Sequence, residues 1–294
     1  MTKEEQALVL LHHCRGVGYR TLEKILKQKL SFSRCLSFTI TEWVNKGLIK
    51  KEHKEIFEKD LNKLTYSTIH STYQKKGIHI ITIFNQRYPR LLKEIDTPPF
   101  VLYAKGKIEW LQEEKMLGIV GSRKMSEYSQ KNLFKILPPL LQDNWFIVSG
   151  LAKGVDALSH RLTIHFGGKT IGVLGSGFGH FYPKENQELA KEMMQTQLII
   201  TEYPYHYPPR KWQFPFRNRI ISGLSLGTFV LEAKEKSGSL ITAHYALEQG
   251  RQVFACPGPP FLDAFVGTNE LILNGAKLVQ SGVHIIEEFS YLST

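Results

Sequence analysis

Four short stretches hold the residues best suited to chemistry on a phosphorylated ligand. They are Gly121-Ser122-Arg123; Ser149-Gly150 with Lys153 beyond; Gly175-Ser176-Gly177 with Tyr182-Pro183-Lys184 beyond; and Ser237-Gly238-Ser239 with Thr242 one turn later. Free amides at the start of a helix, hydroxyls and ammonium or guanidinium groups converge well on an oxyanion. A single stretch of this kind is an ordinary strand-to-helix turn, whereas four at equivalent places suit a phosphate-binding surface. The segment RKWQFPFRNRI adds Arg210, Lys211, Arg217 and Arg219 among Trp212, Phe214 and Phe216, after Tyr203, Tyr205 and Tyr207. Cations can follow a phosphate backbone while rings stack on bases, at about 1–3 kcal/mol per stacked base. Packing of some of these rings into the core does not account for the whole cluster.

Catalytic and nucleotide-cofactor patterns fit less well. Asp156 and His160 in VDALSHR share a helix face, but no G-x-S-x-G elbow supplies a nucleophile, which favours a local structural hydrogen bond. Glu202 and Glu232 near strand ends are candidates for paired acid–base carboxylates, or for orienting arginines and hydroxyls, the reading favoured here. Gly175 and Gly177 begin G-x-G, yet His180 stands where the dinucleotide fingerprint needs its third glycine. Gly168-Lys169-Thr170 resembles the tail of a P-loop, but Thr163 replaces the leading glycine and the motif precedes its strand. NAD binding and ATP hydrolysis are not indicated, and no cofactor is expected.

These loops need a frame. From Lys76 onward, β-branched runs (GIHIITIF, PFVLYAKG, MLGIVGS, WFIVSG, KTIGVLGSG, LIITEY, GTFVLEA, RQVFACPG) alternate, in their later part, with helix-length stretches (SEYSQKNLFKILPPLLQ, GVDALSHRLTIHF, KENQELAKEMMQ, NRIISGLS, SLITAHYALEQG). This predicts an α/β fold, a Rossmann-like, doubly wound and mostly parallel sheet. Such sheets bind ligands beyond the carboxyl ends of their strands, where the four stretches fall. Before Lys76, helical periodicity runs through EEQALVLLHHC, TLEKILKQKL, ITEWVNKG and KKEHKEIFEKDLNKLTYST. The expected domains are a small all-helical one over residues 1–72 and the Rossmann-like one over 73–294. The turn Arg15-Gly-Val-Gly-Tyr19 fits either a helix–hairpin–helix, whose amides can hold a phosphate, or a plain tight turn.

With 294 residues, a net charge of +11 and 42% hydrophobic content, the chain is expected to be globular and to attract polyanions. No apolar run reaches the roughly 18 residues of a membrane span, and the acids near the N-terminus do not suit a secretory signal, so cytoplasmic residence without membrane association is expected. Cys14, Cys35 and Cys256 form no C-x-x-C pair, and adjacent His12, His13 and Cys14 would diverge on a helix, so no metal site is expected.

Residues from about 76 to 282 resemble the DNA-processing protein A family (DprA, also called Smf). The matching motifs are GSRKMSEYS, VSGLAKGVDALSHR, TIGVLGSGFGHFYPKEN, TEYP, FPFRNRIISGLS, EAKEKSGSLITAHYALEQGR, VFACPG and GTNELILNGA. The resemblance implies a non-enzymatic protein of natural transformation and DNA recombination. It would bind single-stranded DNA without sequence preference, help RecA recombinase load onto incoming strands, displace single-strand-binding protein and act as a homodimer. The implied contacts are Gly121, Ser122, Arg123, Lys184, Phe214, Arg217, Arg219, Ser237, Gly238 and Ser239. Ser149, Gly150, Lys153, Ser176, Gly177, Asn186, Asn218 and Thr242 complete the expected DNA-binding set. Leu271, Ile272 and Leu278 are candidates for self-association. Ser129 stands where the family often has glycine, and the sequence ends at Thr294 without the winged-helix domain many members append. The helical N-terminal part resembles the family's sterile-alpha-motif-like domain in size and helicity only. The enzymatic alternative is a lonely-guy-like phosphoribohydrolase, but its P-G-G-x-G-T-x-x-E pattern is met here by GLSLGTFVLEA, without the leading glycines and with the glutamate one place late. A nucleotide-sensing regulator is a further alternative.

Overall fold

The computed structural model describes residues 1–290, which form two compact units. The first comprises Met1–Tyr88 and Pro98–Ala104; the second comprises Pro89–Thr97 and the chain from Lys105.

In the first unit, helices Lys3–His13 and Ile40–Asn45 each begin with a capping box, Thr2 with Glu5 and Thr39 with Glu42. These side chains satisfy helix-terminal amides that have no partner within the helix. The run from Lys50 to Thr68, continuous in apolar period, is divided between helices Lys54–Lys63 and Tyr66–Lys75. Leu64 leaves the helix in extended conformation, and the Thr65 hydroxyl caps the next one by accepting from the Thr68 amide. Trp43 and Phe57 pack at 4.8 Å between ring centroids in a core with Leu8, Leu11 and Phe32. At the Gly-Val-Gly turn, Arg15 binds Asp60 through its amide (2.9 Å) and guanidinium (2.6 and 2.8 Å), so an internal carboxylate already holds this cation. An antiparallel pair, β1 (His79–Thr82) and β2 (Val101–Gly106), accompanies the helices.

The second unit contains β3 (Met116–Val120), β4 (Phe146–Gly150), β5 (Lys169–Val173), β6 (Leu198–Thr201), β7 (Gly227–Val230), β8 (Gln252–Ala255) and β9 (Lys277–Leu278). These strands lie in the order β6-β5-β4-β3-β7-β8-β9, all parallel. Helices Glu127–Gln142 and Val155–His165 cover one face, where Leu133, Ile136, Leu140 and Leu162 bury Leu117, Ile119, Ile147 and Phe229. On the opposite face, Gly118 lies against Ile221 of helix Gln213–Leu224, and helix Gly238–Glu248 packs beside it over β7 and β8. This is the expected Rossmann-like α/β arrangement. Chain progression reverses between β3 and β7, which opens a crevice beyond their carboxyl ends. Among the described residues no helix is long and apolar enough to cross a membrane.

Candidate nucleic-acid interface

Three strand-end loops and one helix build a cleft at this reversal. After β3, Gly121 lies so close to Val155 that an added Cβ would stand 2.7 Å from its side chain. The Ser122 carbonyl accepts from the Val155 amide (3.1 Å) and the Ser122 amide donates to the Glu232 carbonyl (2.9 Å), which leaves Arg123 exposed at the loop tip. After β4, Gly150 provides space for two charged groups at once. A Cβ here would lie 2.4 Å from an Asp156 carboxylate oxygen and 2.6 and 2.7 Å from the guanidinium nitrogens of Arg217. After β7, Lys234 and Lys236 are exposed, and Ser237 caps helix Gly238–Glu248 by accepting from the Ser239 amide (3.3 Å).

The cleft encloses about 300 Å³, with Arg123, Arg217, Lys234 and Lys236 as its cations and Asp156 as its carboxylate. Arg217 is nearly buried and donates to the Val173 carbonyl. Desolvation pushes the Asp156 carboxyl above the usual carboxylate range, opposed by the Arg217 guanidinium. The Thr242 Oγ1, fully buried in the first turns of its helix, has no hydrogen-bond partner among the described residues and faces the cleft. A second cavity of about 290 Å³ shares Arg123, Ala152, Phe214 and Arg217 with the first and is closed by Tyr182, Pro183 and Leu174. The rings of Tyr182 and Phe214 are 5.5 Å apart. Together these cavities offer cations, a helix N-terminus and apolar ring faces in one continuous depression, a combination able to take a phosphate and an unstacked base.

Gly121, Ser122, Arg123, Phe214, Arg217, Asn218, Ser237, Gly238, Ser239 and Thr242 from the sequence-based set meet in the first cleft. Lys153 lines the second cavity, but its ammonium is paired with Glu185. Other expected contacts take internal roles. The Ser149 hydroxyl donates to the Ile119 carbonyl (2.6 Å), Ser176 donates to the His180 carbonyl (2.5 Å), and Asn186 donates to the carbonyls of Leu151 and Ala152 (3.0 Å each). Gly177 lies under the Pro204 and Tyr205 carbonyls, and exposed Lys184 lines neither cavity. Arg219 is wholly buried in a bidentate pair with Glu202, at 2.7 and 2.6 Å, so it is a core residue and not a DNA contact.

The aromatic cluster also divides. Tyr203 is buried, and Phe216 lies 3.7 Å below the Arg219 guanidinium carbon, while Phe214 reaches the cleft and Trp212 is 56% exposed. Lys234 and Lys236 were not selected from the sequence. The detectable signal was the EAKEKSGS loop itself, where alternating acids disguise two lysines standing immediately before a helix cap.

Glu232 accepts from the Ser126 amide and from the Ser126 and Ser129 hydroxyls, in line with an orienting role. His160 does not pair with Asp156. Its Nε2 donates to the Gly150 carbonyl (2.7 Å), and its Nδ1 lies 2.6 Å from the Thr170 hydroxyl. Full burial pulls its pKa down to about 4. Between about pH 6.5 and that value the unfolded chain binds a proton that the folded chain refuses, so stability is complete above this window and declines as pH falls through it. The slope is at most about 1.4 kcal/mol per pH unit. Urea midpoints are expected to fall from pH 7 to pH 5 in the wild type, and by less in His160→Gln.

A family model described as DNA recombination-mediator protein A matches residues 79–290. The DNA processing protein DprA of Bacillus subtilis is 42% identical over 289 residues, covering 97% of this chain and 96% of that one. The X-ray structure of DprA from Streptococcus pneumoniae is similar with a TM-score of 0.83 at 33% identity, covering 98% of both chains. DNA processing protein A from Helicobacter pylori, whose structure was described for its single-stranded DNA binding mode, is similar with a TM-score of 0.66 at 26% identity over 73% of this chain and 96% of that one. The family match, the nearly full-length identity and the motifs gathered at the β3–β7 reversal agree: this chain belongs to the DNA processing protein A family.

Proposed function

We propose that the cleft binds single-stranded DNA without sequence preference. The observation that carries this reading is the meeting of Arg123, Lys234 and Lys236, none ion-paired among the described residues, with an amide-rich helix N-terminus and the unpartnered Thr242 hydroxyl. Phosphates would be neutralised in succession with release of counterions, which gives affinity without reading bases. Phe214 and Tyr182 favour an unpaired base, because duplex stacking hides the faces they need. The single-stranded DNA binding mode described for the Helicobacter pylori relative supports the same reading.

In this proposal the protein serves natural transformation in the cytoplasm, binding incoming strands, displacing single-strand-binding protein and helping RecA load. It acts as a homodimer through the surface of Leu271, Ile272 and Leu278, beside Leu273, which is 86% exposed, and the terminal strand β9. A binding role is favoured over an enzymatic one because the Glu232 carboxylate is turned to Ser126 and Ser129.

The test is titration of a fluorescent oligo-dT with wild type and Arg123→Ala. The variant is expected to bind about tenfold more weakly, and its log–log salt slope to fall by about one phosphate contact. Equal curves for the two proteins across the salt series contradict the proposal. Release of free base from nucleoside monophosphates would revive the phosphoribohydrolase alternative.

A further inference from the structure

We infer that Glu232 is a positioning residue that sets the placement of Arg123 relative to Lys234 and Lys236 in the cleft, an inference that rests on the single-stranded DNA reading above. The Arg123 loop hangs from this one residue at both ends. At its start the Ser122 amide donates to the Glu232 backbone carbonyl (2.9 Å). At its end the Ser126 amide (2.9 Å) and hydroxyl (2.6 Å) both donate to Glu232 Oε2, and the Ser129 hydroxyl adds a third bond to the same oxygen at 2.6 Å. An ionised acceptor strengthens all three bonds. The carboxylate also stands at the N-terminus of helix Glu127–Gln142, where negative charge is favoured.

Glu232 is 1% exposed and so cannot touch a strand lying in the cleft. Its position along the chain supplies the other half of the device. It stands two residues beyond the end of β7, and Lys234 and Lys236, which line the same cleft, come two and four residues later. Arg123 and the two lysines are therefore referenced to a single buried residue. Ser129 belongs to the device because its hydroxyl ties the first turn of the helix to the same oxygen.

The experiment is a double-mutant cycle on the full chain, with binding to a fluorescent oligo-dT as readout in wild type, Glu232→Gln, Arg123→Ala and the double variant. Amide hydrogen exchange of residues 121–126 is followed in parallel. Glu232→Gln is expected to weaken binding about tenfold in the wild-type background and less than about twofold once Arg123 is absent. Exchange in the loop should rise while the cooperative unfolding transition persists. Equal fold-losses in both backgrounds would show a general structural effect and overturn the inference. If Glu232→Gln does not fold, Ser129→Ala takes its place in the cycle, with an expected loss of about threefold that also vanishes without Arg123. Wild-type affinity in Ser129→Ala would then overturn the inference. Wild-type affinity in Arg123→Ala alone is a different outcome: it removes the DNA reading of the cleft, and this inference with it.

Discussion

Arg219→Ala is expected to destabilise the protein by about 3–5 kcal/mol while leaving the single-stranded DNA affinity of the folded molecules nearly unchanged. The guanidinium is fully buried and fully engaged. It forms two bonds to Glu202, at 2.7 and 2.6 Å, one to the Thr97 carbonyl at 2.9 Å and one to the Phe216 carbonyl at 3.0 Å. Truncation leaves the Glu202 carboxylate, itself only 7% exposed, without its counter-charge, and it takes a donor from the Thr97 carbonyl. Urea denaturation of Arg219→Ala reports the loss directly. Replacing both partners, as Arg219→Met with Glu202→Leu, is expected to recover much of it, because a buried charge pair is expensive to break and comparatively cheap to replace whole. If Arg219→Ala instead keeps its stability and loses DNA affinity, the division of labour on this helix is wrong.

That division shows how far the sequence could be read. Arg217 and Arg219 share one basic motif, and adjacency alone assigns them one role. On a helix, however, a two-residue step turns a side chain by roughly 200°, so one arginine meets the cleft and the other the core. Helical periodicity was present in FPFRNRII, but a doubly covered helix in an α/β fold is apolar on more than one side, so the buried face could not be chosen from the pattern. The strands were legible because β-branched runs bounded by glycine and serine recur at regular spacing. β9 was not, since Lys277–Leu278 is too short to show a period. Strand order is set by tertiary packing and leaves no local mark, so the reversal between β3 and β7 became visible only in three dimensions. The same limit applied to Asn186 and Ser149, whose polar side chains sit in motif loops but turn inward to satisfy buried carbonyls. The sequence-selected residues that meet in the cleft lie nearest the reversal, where exposure, loop position and chemistry coincide.

Gly150→Ala tests the support beneath Arg217 and Asp156 with a single methyl group and should weaken oligo-dT binding by about tenfold or more, an effect of the size expected when a buried, organised cation is displaced. The substitution demands no left-handed backbone, since the φ of Gly150 lies outside that region, so any penalty comes from space. That space is already taken: the new Cβ would lie within 2.7 Å of both Arg217 guanidinium nitrogens and 2.4 Å from Asp156 Oδ2. One of the two charged groups must yield. Asp156 is held by its place in the first turn of helix Val155–His165, whose N-terminus favours a carboxylate, while Arg217 swings on a long side chain. Displacing Arg217 breaks its bond to the Val173 carbonyl and carries its charge away from the junction of the two cavities. The salt slope should therefore fall by about one contact, as in Arg123→Ala, whereas a general loosening of the fold would lower affinity without that change in slope.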